Sequence, residues 1–157
     1  KGTGILMNNE MDDFSIKPGT PNVYGLVGSE ANKIESKKSP LSSMSPTIVF
    51  KNSKPVLITG SQGGSMIINT VFQEILNVLE FAMKLSESNE KERVHYQWKP
   101  DILFHEGLRK DLTEELSKEM SLYERNIGET QSIALENGEY KGWTDYRRPD
   151  GKKIELH

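Results

Sequence analysis

Residues 54–69, Lys-Pro-Val-Leu-Ile-Thr-Gly-Ser-Gln-Gly-Gly-Ser-Met-Ile-Ile-Asn, constrain the fold more than any other stretch, because they read as strand, glycine turn and helix in immediate succession. Val56, Leu57 and Ile58 are the apolar run of a short strand. Gly60, Gly63 and Gly64 permit backbone angles that place consecutive amides on one concave surface. A helix that starts directly after them adds the positive end of its dipole. Such a unit needs a sheet for its strand and a face for its helix, and it sets backbone donors at the junction.

The remaining elements follow from periodicity and turn chemistry. From Ser65 to about Leu85, Ile67, Ile68, Val71, Phe72, Ile75, Leu76, Leu79 and Met83 recur at three and four spacing, which predicts a helix against a sheet. Thr47–Phe50 and Val56–Thr59 are β-rich and joined by Lys51-Asn-Ser-Lys54, a predicted hairpin. Asn137-Gly138 sets a second hairpin between Gln131–Leu135 and Glu139–Trp143. Ile102–His105 reads as a strand, and Leu108–Glu119 as an amphipathic helix with Leu108, Leu112 and Leu116 on one stripe. Residues 86–93 predict a short helix capped by Ser86 or Ser88.

Residues 4–7 are apolar and predict a strand that delivers the following carboxylates at its end. Between 16 and 46, Pro18, Gly19, Pro21, Gly25, Gly28, Pro40 and Pro46 argue for a long loop, of the kind that serves as a lid or lacks regular structure. The tail after Arg147 reads as polar and loosely held. The sum is an α/β chain, a mixed sheet with long helices packed on it, in one domain over residues 1–157.

Composition narrows the chemistry. The 20 basic and 23 acidic residues give a net charge of -3 with no long block of either sign, which removes the electrostatic case for nucleic acid. With no cysteine there is no disulfide, thiolate nucleophile or cysteine zinc site. No apolar run approaches the roughly 20 residues that span a bilayer. His95, His105 and His157 lack metal-ligand spacing, so no metal is expected, and His95-Tyr-Gln-Trp98 reads as core and hydrogen-bond scaffold. The chain begins without methionine inside a strand-like segment, which suggests a processed or truncated chain.

Three polar clusters carry candidate chemistry. Glu10, Asp12 and Asp13 lie within four residues and suit an ammonium group, or form a solvated turn. Ser42 and Ser43 can donate to a carboxylate without bearing charge, or make an ordinary serine turn. Gly63 and Gly64 can aim backbone donors at a developing oxyanion, or form a tight turn into a helix. Phosphate readings are weaker, because no Lys-Ser/Thr follows the glycines as a P-loop requires, and the spacing is not Gly-x-Gly-x-x-Gly. A serine hydrolase elbow, Gly-x-Ser-x-Gly, is absent.

The three clusters, taken in order, carry a family likeness. Gly4-Ile-Leu-Met-Asn-Asn-Glu-Met-Asp-Asp-Phe-Ser15, Pro40-Leu-Ser-Ser-Met-Ser-Pro-Thr47 and Thr59-Gly-Ser-Gln-Gly-Gly-Ser65 closely resemble signature segments of the small subunit of γ-glutamyltranspeptidase, also called glutathione hydrolase. Tyr24-Gly-Leu-Val-Gly28, Arg93-Val-His-Tyr-Gln-Trp98, Thr130-Gln-Ser-Ile133 and Asp145 with Arg147 add agreement toward the C-terminal end.

The resemblance implies an N-terminal nucleophile hydrolase fold, a four-layer αββα sandwich of which this is the small-subunit portion. It implies that Glu10 and Asp13 bind the α-amino group of a γ-glutamyl moiety, that Ser42 and Ser43 hold its α-carboxylate, and that Gly63 and Gly64 bond the oxyanion. Tyr24 would lie in a lid within the connecting loop 16–46. The nucleophile would be a threonine upstream of the matched region, for which Thr3 is not the equivalent, so this chain alone is expected to be inactive. A large subunit of the same precursor is the implied partner, glutathione the implied donor, an amino acid or peptide the acceptor, and no cofactor is needed. A periplasmic or secreted location is implied by the same analogy.

The family usually has proline where Gln62 stands and arginine where Met66 stands, so Gln62 is expected to alter the rigidity of the glycine turn. Two other readings stay open at this point. One is a noncatalytic remnant that binds glutamyl groups, and the other is a related cephalosporin acylase.

Overall fold

The computed structural model describes residues 2–5 and 7–148, together with the backbone of 154–156. The chain divides into two compact units, residues 1–42 and 43–157.

The larger unit opens with the predicted hairpin. β1 (Thr47–Lys51) and β2 (Lys54–Gln62) pair antiparallel across Asn52 and Ser53, whose φ values of 51° and 62° suit the tight turns that match strand twist. A 3₁₀ turn at Gly64–Met66 then runs into α1 (Ile67–Leu79), followed by α2 (Leu85–Glu90), β3 (Val94–His95) and β4 (Ile102–His105). α3 (Lys110–Leu116), β5 (Ser121–Glu124), β6 (Glu129–Glu136), β7 (Glu139–Thr144) and β8 (Ile154–Leu156) complete the order. Asn137 and Gly138, at φ 54° and 89°, make the second predicted hairpin.

A five-stranded sheet runs in the order β1-β2-β6-β7-β8, and a smaller one in the order β3-β4-β5. Leu57 pairs with Ala134 and Thr59 with Ser132, so these four buried side chains share one face of the large sheet. α1 lies on that face with Ile67, Val71 and Glu74 inward, and Ile75 and Val78 join Leu57, Leu85 and Ala134 in the core. Ile58, in register with Ile48 and Ile133, points to the other face and is exposed.

Several element boundaries differ from the sequence reading. Helix α1 stops at Leu79 rather than near Leu85: the Phe81 N–H reaches the Leu76 carbonyl, the Met83 N–H reaches that of Asn77, and Ala82 turns left-handed at φ 52°. This bend lets Leu85 enter the core. Neither Ser86 nor Ser88 caps α2. The Glu87 carboxylate instead accepts from the Lys84 N–H at 3.1 Å, while Ser88 is buried inside the helix. α3 begins two residues after Leu108, because Gly107 at φ 141° and an extended Arg109 delay the first turn.

The tail is not wholly loose, since Ile154–Leu156 pairs with Tyr140–Gly142 as an edge strand. Residues 149–153 and 157 lie outside the described residues. In the scaffold reading of 95–98, His95 is buried as expected, but Tyr96 and Trp98 are exposed.

The smaller unit has little regular structure, as the loop composition of 16–46 requires. It contains 3₁₀ turns at Glu10–Asp13 and Glu30–Asn32 and single bridges of Ser15 with Lys33 and Pro21 with Val27. The strand expected at 4–7 is not found: Ile5 and Met7 are exposed without strand pairing, and Leu6 lies outside the described residues. An apolar run becomes a strand only where a neighbouring strand accepts its ladder.

Candidate functional site

The glycine turn sits where β2 hands over to α1. Gly63, at φ 136°, and Gly64, at φ 58°, occupy backbone conformations that L side chains rarely adopt. Gly64 is the first residue of a helical turn, so its N–H has no acceptor within the turn and is free for an anion or a polarised carbonyl. Gly60, by contrast, lies inside β2 opposite Gln131 and belongs to the sheet.

Both flanks of this turn are tied down. On the exit side, Ser65 Oγ donates to Gln97 Oε1 at 2.7 Å, and His95 Nε2 lies 2.8 Å from the same oxygen. An amide oxygen only accepts, so Nε2 carries the His95 proton. On the entry side, Gln62 Nε2 donates to Glu129 Oε2 at 2.5 Å and the Glu129 N–H donates to Ser61 Oγ at 3.0 Å. A Cβ on Gly63 would come within 3.3 Å of Gly128 Cα, so these two glycines let the β2 end and the start of β6 meet closely.

In the smaller unit, Glu10, Asp12 and Asp13 share one 3₁₀ turn, which ends where Phe14 and Ser15 become buried. One side chain organises the surroundings of this turn. Asn32 donates from Nδ2 to the Asp13 carbonyl at 2.7 Å and accepts at Oδ1 from the Leu41 N–H at 3.0 Å, and its own carbonyl accepts from the Ser15 N–H at 2.9 Å. The acidic turn and the residue preceding Ser42 are therefore joined through a single amide. Ser42 is exposed and Ser43 half-buried, and the Ser43 carbonyl accepts from Ser45 Oγ at 3.1 Å.

Tyr24 is at the tip of a small loop built by Asn22, whose Oδ1 accepts from the N–H groups of Tyr24 and Leu26, both at 3.0 Å. The Gly19 N–H bonds to the Gly28 carbonyl at 2.9 Å at the base of the loop. Gly28 touches Ser15 so closely that a Cβ there would fall 1.9 Å from Ser15 Oγ. The Tyr24 loop is thus rooted beside the acidic turn.

Beneath the large sheet's helical face runs a buried polar network. Glu74 on α1 accepts from Thr59 Oγ1, from Ser132 Oγ at 2.6 Å and from Asn89 Nδ2 at 2.9 Å. Asn89 Oδ1 accepts from Thr130 Oγ1 at 2.6 Å, and Thr130 in turn accepts from Arg93. Arg93 lies 2.8 Å from Asp145 Oδ2, and Asp145 Oδ1 accepts from Arg147 Nη1 at 3.0 Å. Burial alone would raise the Asp145 pKa, but the Thr130 amide, the Arg93 charge and the Arg147 bonds outweigh it and hold it below the ordinary value. Burial likewise works against the Arg147 charge, and Glu106 and Asp145 more than compensate, raising its pKa.

The family model described as γ-glutamyltranspeptidase matches residues 1–154. The chain belongs to that family. Among γ-glutamyltranspeptidase relatives, the glutathione hydrolase proenzyme of Escherichia coli K12 is 48% identical over 153 residues, covering 94% of this chain and 26% of that protein. The chain thus spans about a quarter of that relative's length. The crystal structure of the Helicobacter pylori γ-glutamyltranspeptidase matches with a TM-score of 0.87 at 48% identity, covering 94% of this chain and 83% of that one. A cephalosporin acylase from Bacillus halodurans matches with a TM-score of 0.77 over 98% of this chain and 28% of its own, at 22% identity, which speaks to fold alone. The mixed α/β, N-terminal nucleophile hydrolase class expected from the sequence is the class of these γ-glutamyltranspeptidase neighbours.

The γ-glutamyltranspeptidase motifs led to the acidic turn and the glycine turn but not to what braces them. Asn32, Glu129 and Gln97 lay outside the site reading because their partners are far away in sequence. One signal was available for Glu74: a carboxylate at the buried spacing of Ile67, Val71 and Val78 must find donors on the sheet. Arg93, Thr130, Asp145 and Arg147 entered only as points of resemblance, and the structure places them in one buried network.

Proposed function

We propose that this chain is the glutamyl-holding part of a γ-glutamyltransferase and glutathione hydrolase. The observation that carries the reading is the family match across residues 1–154, joined to 48% identity with a protein named glutathione hydrolase proenzyme. In this reading Glu10 and Asp13 take the α-ammonium group of the donor, and Ser42 and Ser43 take its α-carboxylate. The turn at Gly63 and Gly64 supports the oxyanion role by its local geometry, with positive φ at both residues and a helix following directly. Tyr24, at the tip of its loop in 16–46, acts as part of the lid.

The chemistry is acyl transfer through a covalent ester. An N-terminal threonine of the same precursor attacks the γ-carbonyl of glutathione with its hydroxyl oxygen, and the developing oxyanion takes bonds from the glycine-turn amides. The C–N bond then breaks, cysteinylglycine leaves with the proton lost by the hydroxyl, and a glutamyl ester remains. Water, or the amine of an amino acid or peptide, attacks this ester and restores the threonine. Nothing in the scheme requires a cofactor. The partner is the large subunit cut from the same precursor, and the family resemblance carries with it a periplasmic or secreted location, checked by fractionation.

Expression of the complete precursor tests the reading. It is expected to cleave itself into two chains and to release glutamate from glutathione, with γ-glutamyl dipeptides appearing when glycylglycine is added. A precursor that remains intact and leaves glutathione unchanged would favour a noncatalytic glutamyl-binding remnant.

A further inference from the structure

We infer that Asn32 is a positioning residue that sets the spacing between the two ends of the glutamyl-recognition site, a role that rests on the function proposed above. The amide of Asn32 uses both of its polar atoms on backbone belonging to separate segments. Nδ2 donates to the Asp13 carbonyl at 2.7 Å, and Oδ1 accepts from the Leu41 N–H at 3.0 Å. Its carbonyl adds a third tie, to the Ser15 N–H at 2.9 Å.

These ties have a specific geometric consequence. Asp13 is the last residue of the acidic turn, and Leu41 directly precedes Ser42. The backbone of Asp13, assigned to the ammonium, and the backbone of the residue before Ser42, assigned to the carboxylate, are therefore held by opposite ends of one rigid planar amide. Among its described residues the unit's regular structure is limited to short 3₁₀ turns and isolated bridges, so the Asn32 ties bear directly on this distance. Within its own short turn the Asn32 N–H donates to the Ser29 carbonyl at 3.1 Å, which ties down the backbone that carries the side chain. A carboxyamide is needed because one partner is an acceptor and the other a donor. Aspartate can serve only Leu41, and alanine serves neither.

In the proposed site Asn32 touches no substrate. It acts on recognition of the donor's head, so its loss appears in discrimination between donors rather than in the chemical step.

The test uses the complete, self-processed enzyme and three anilide donors: γ-glutamyl, glutaryl, which lacks the α-amine, and 4-aminobutyryl, which lacks the α-carboxylate. For Asn32→Ala, KM for the γ-glutamyl donor is expected to rise about tenfold with kcat little changed, as the loss of a site-ordering hydrogen bond predicts. The kcat/KM advantage of the γ-glutamyl donor over both truncated donors shrinks by the same factor. Asn32→Asp, which keeps the bond from Leu41 and repels the Asp13 carbonyl, is expected to lose more of the advantage over the glutaryl donor than over the 4-aminobutyryl donor. An equal fall in kcat/KM for all three donors, or a fall in kcat alone, would overturn the inference and leave Asn32 a purely structural residue. An unsubstituted enzyme that does not prefer the γ-glutamyl donor would remove the proposed function itself, and this inference with it.

Discussion

Arg147 grips Glu106 with both edges of its guanidinium: Nε donates to Oε1 at 2.6 Å, Nη2 donates to Oε2, and both side chains are buried. The same arginine donates to the backbone carbonyls of Asn89 and Lys91 and to Asp145. Glu106 for its part accepts the N–H groups of Arg93 and Ile127. The chain after β7 is thereby fastened to α2, to the segment leading into β3 and to the residue after β4. Removing Arg147 as Arg147→Ala would leave two buried carboxylates short of their cation. A loss of about 3–5 kcal/mol is expected, read from the urea midpoint of the complete protein.

The neighbouring Asp145 gives a pH prediction. Its pKa in the folded chain is depressed, so the stability it contributes is fully present above the unfolded carboxylate value of about 3.9 and is lost as pH falls through the folded value. Melting curves of the unsubstituted protein should therefore drop on acidification below roughly pH 4. Asp145→Asn should be less stable at neutral pH and show a shallower drop in that acid range.

Glu74 tests the other end of the network. Its carboxylate accepts three hydrogen bonds, from Thr59, Ser132 and Asn89, with the residue about 1% exposed. Glu74→Leu keeps apolar bulk but strands those donors, and unsatisfied buried groups cost about 1–3 kcal/mol each. The expected ranking by thermal or chemical denaturation is unsubstituted, then Glu74→Gln, then Glu74→Leu. Equal stability of the last two would deny the network its role.

Gln62 and Glu129 pair across β2 and β6 immediately before the glycine turn, and Arg148 Nη1 lies 3.7 Å from the same carboxylate oxygen. Under the proposed function, breaking this clasp should let the turn amides drift from the reacting carbonyl. In the complete enzyme, Glu129→Ala is expected to lower kcat about tenfold, less than the 10² to 10³ that loss of an oxyanion donor costs. The double variant Gln62→Ala/Glu129→Ala should lose little more than either single one, because the two side chains act as a pair. Steady-state kinetics of the four proteins give the coupling directly.

The parts legible in sequence were those decided by neighbours along the chain. Asn137-Gly138 readily takes the left-handed backbone of a two-residue turn, and the β-rich runs on either side of Asn52-Ser53 mark the other one, so both hairpins could be read before any sheet was known. The glycine turn was legible for the same reason. The end of α1 was not, because its apolar spacing continues to Met83 while the backbone turns at Ala82, a choice made by the burial of Leu85. The run at 4–7 has the letters of a strand without a partner to pair with. Gln62 read as a source of altered rigidity, yet the carboxylate that receives its amide is 67 residues away, where no local pattern could reveal it. Asn32 was hidden likewise, since an asparagine in a proline-rich loop looks like any turn residue until Asp13 and Leu41 are seen at its two ends.

In the proposed function the acidic turn, the paired serines and the glycine turn act on a single γ-glutamyl group. A crystal structure of the complete, processed enzyme trapped as its glutamyl ester tests it most directly. The ammonium group is expected within hydrogen-bond distance of Glu10 and Asp13, the α-carboxylate on the hydroxyls of Ser42 and Ser43, and the ester carbonyl oxygen facing the N–H groups of Gly63 and Gly64. A trapped ester whose head group lies away from Glu10 and Asp13, or whose carbonyl oxygen is held by other donors, would contradict it.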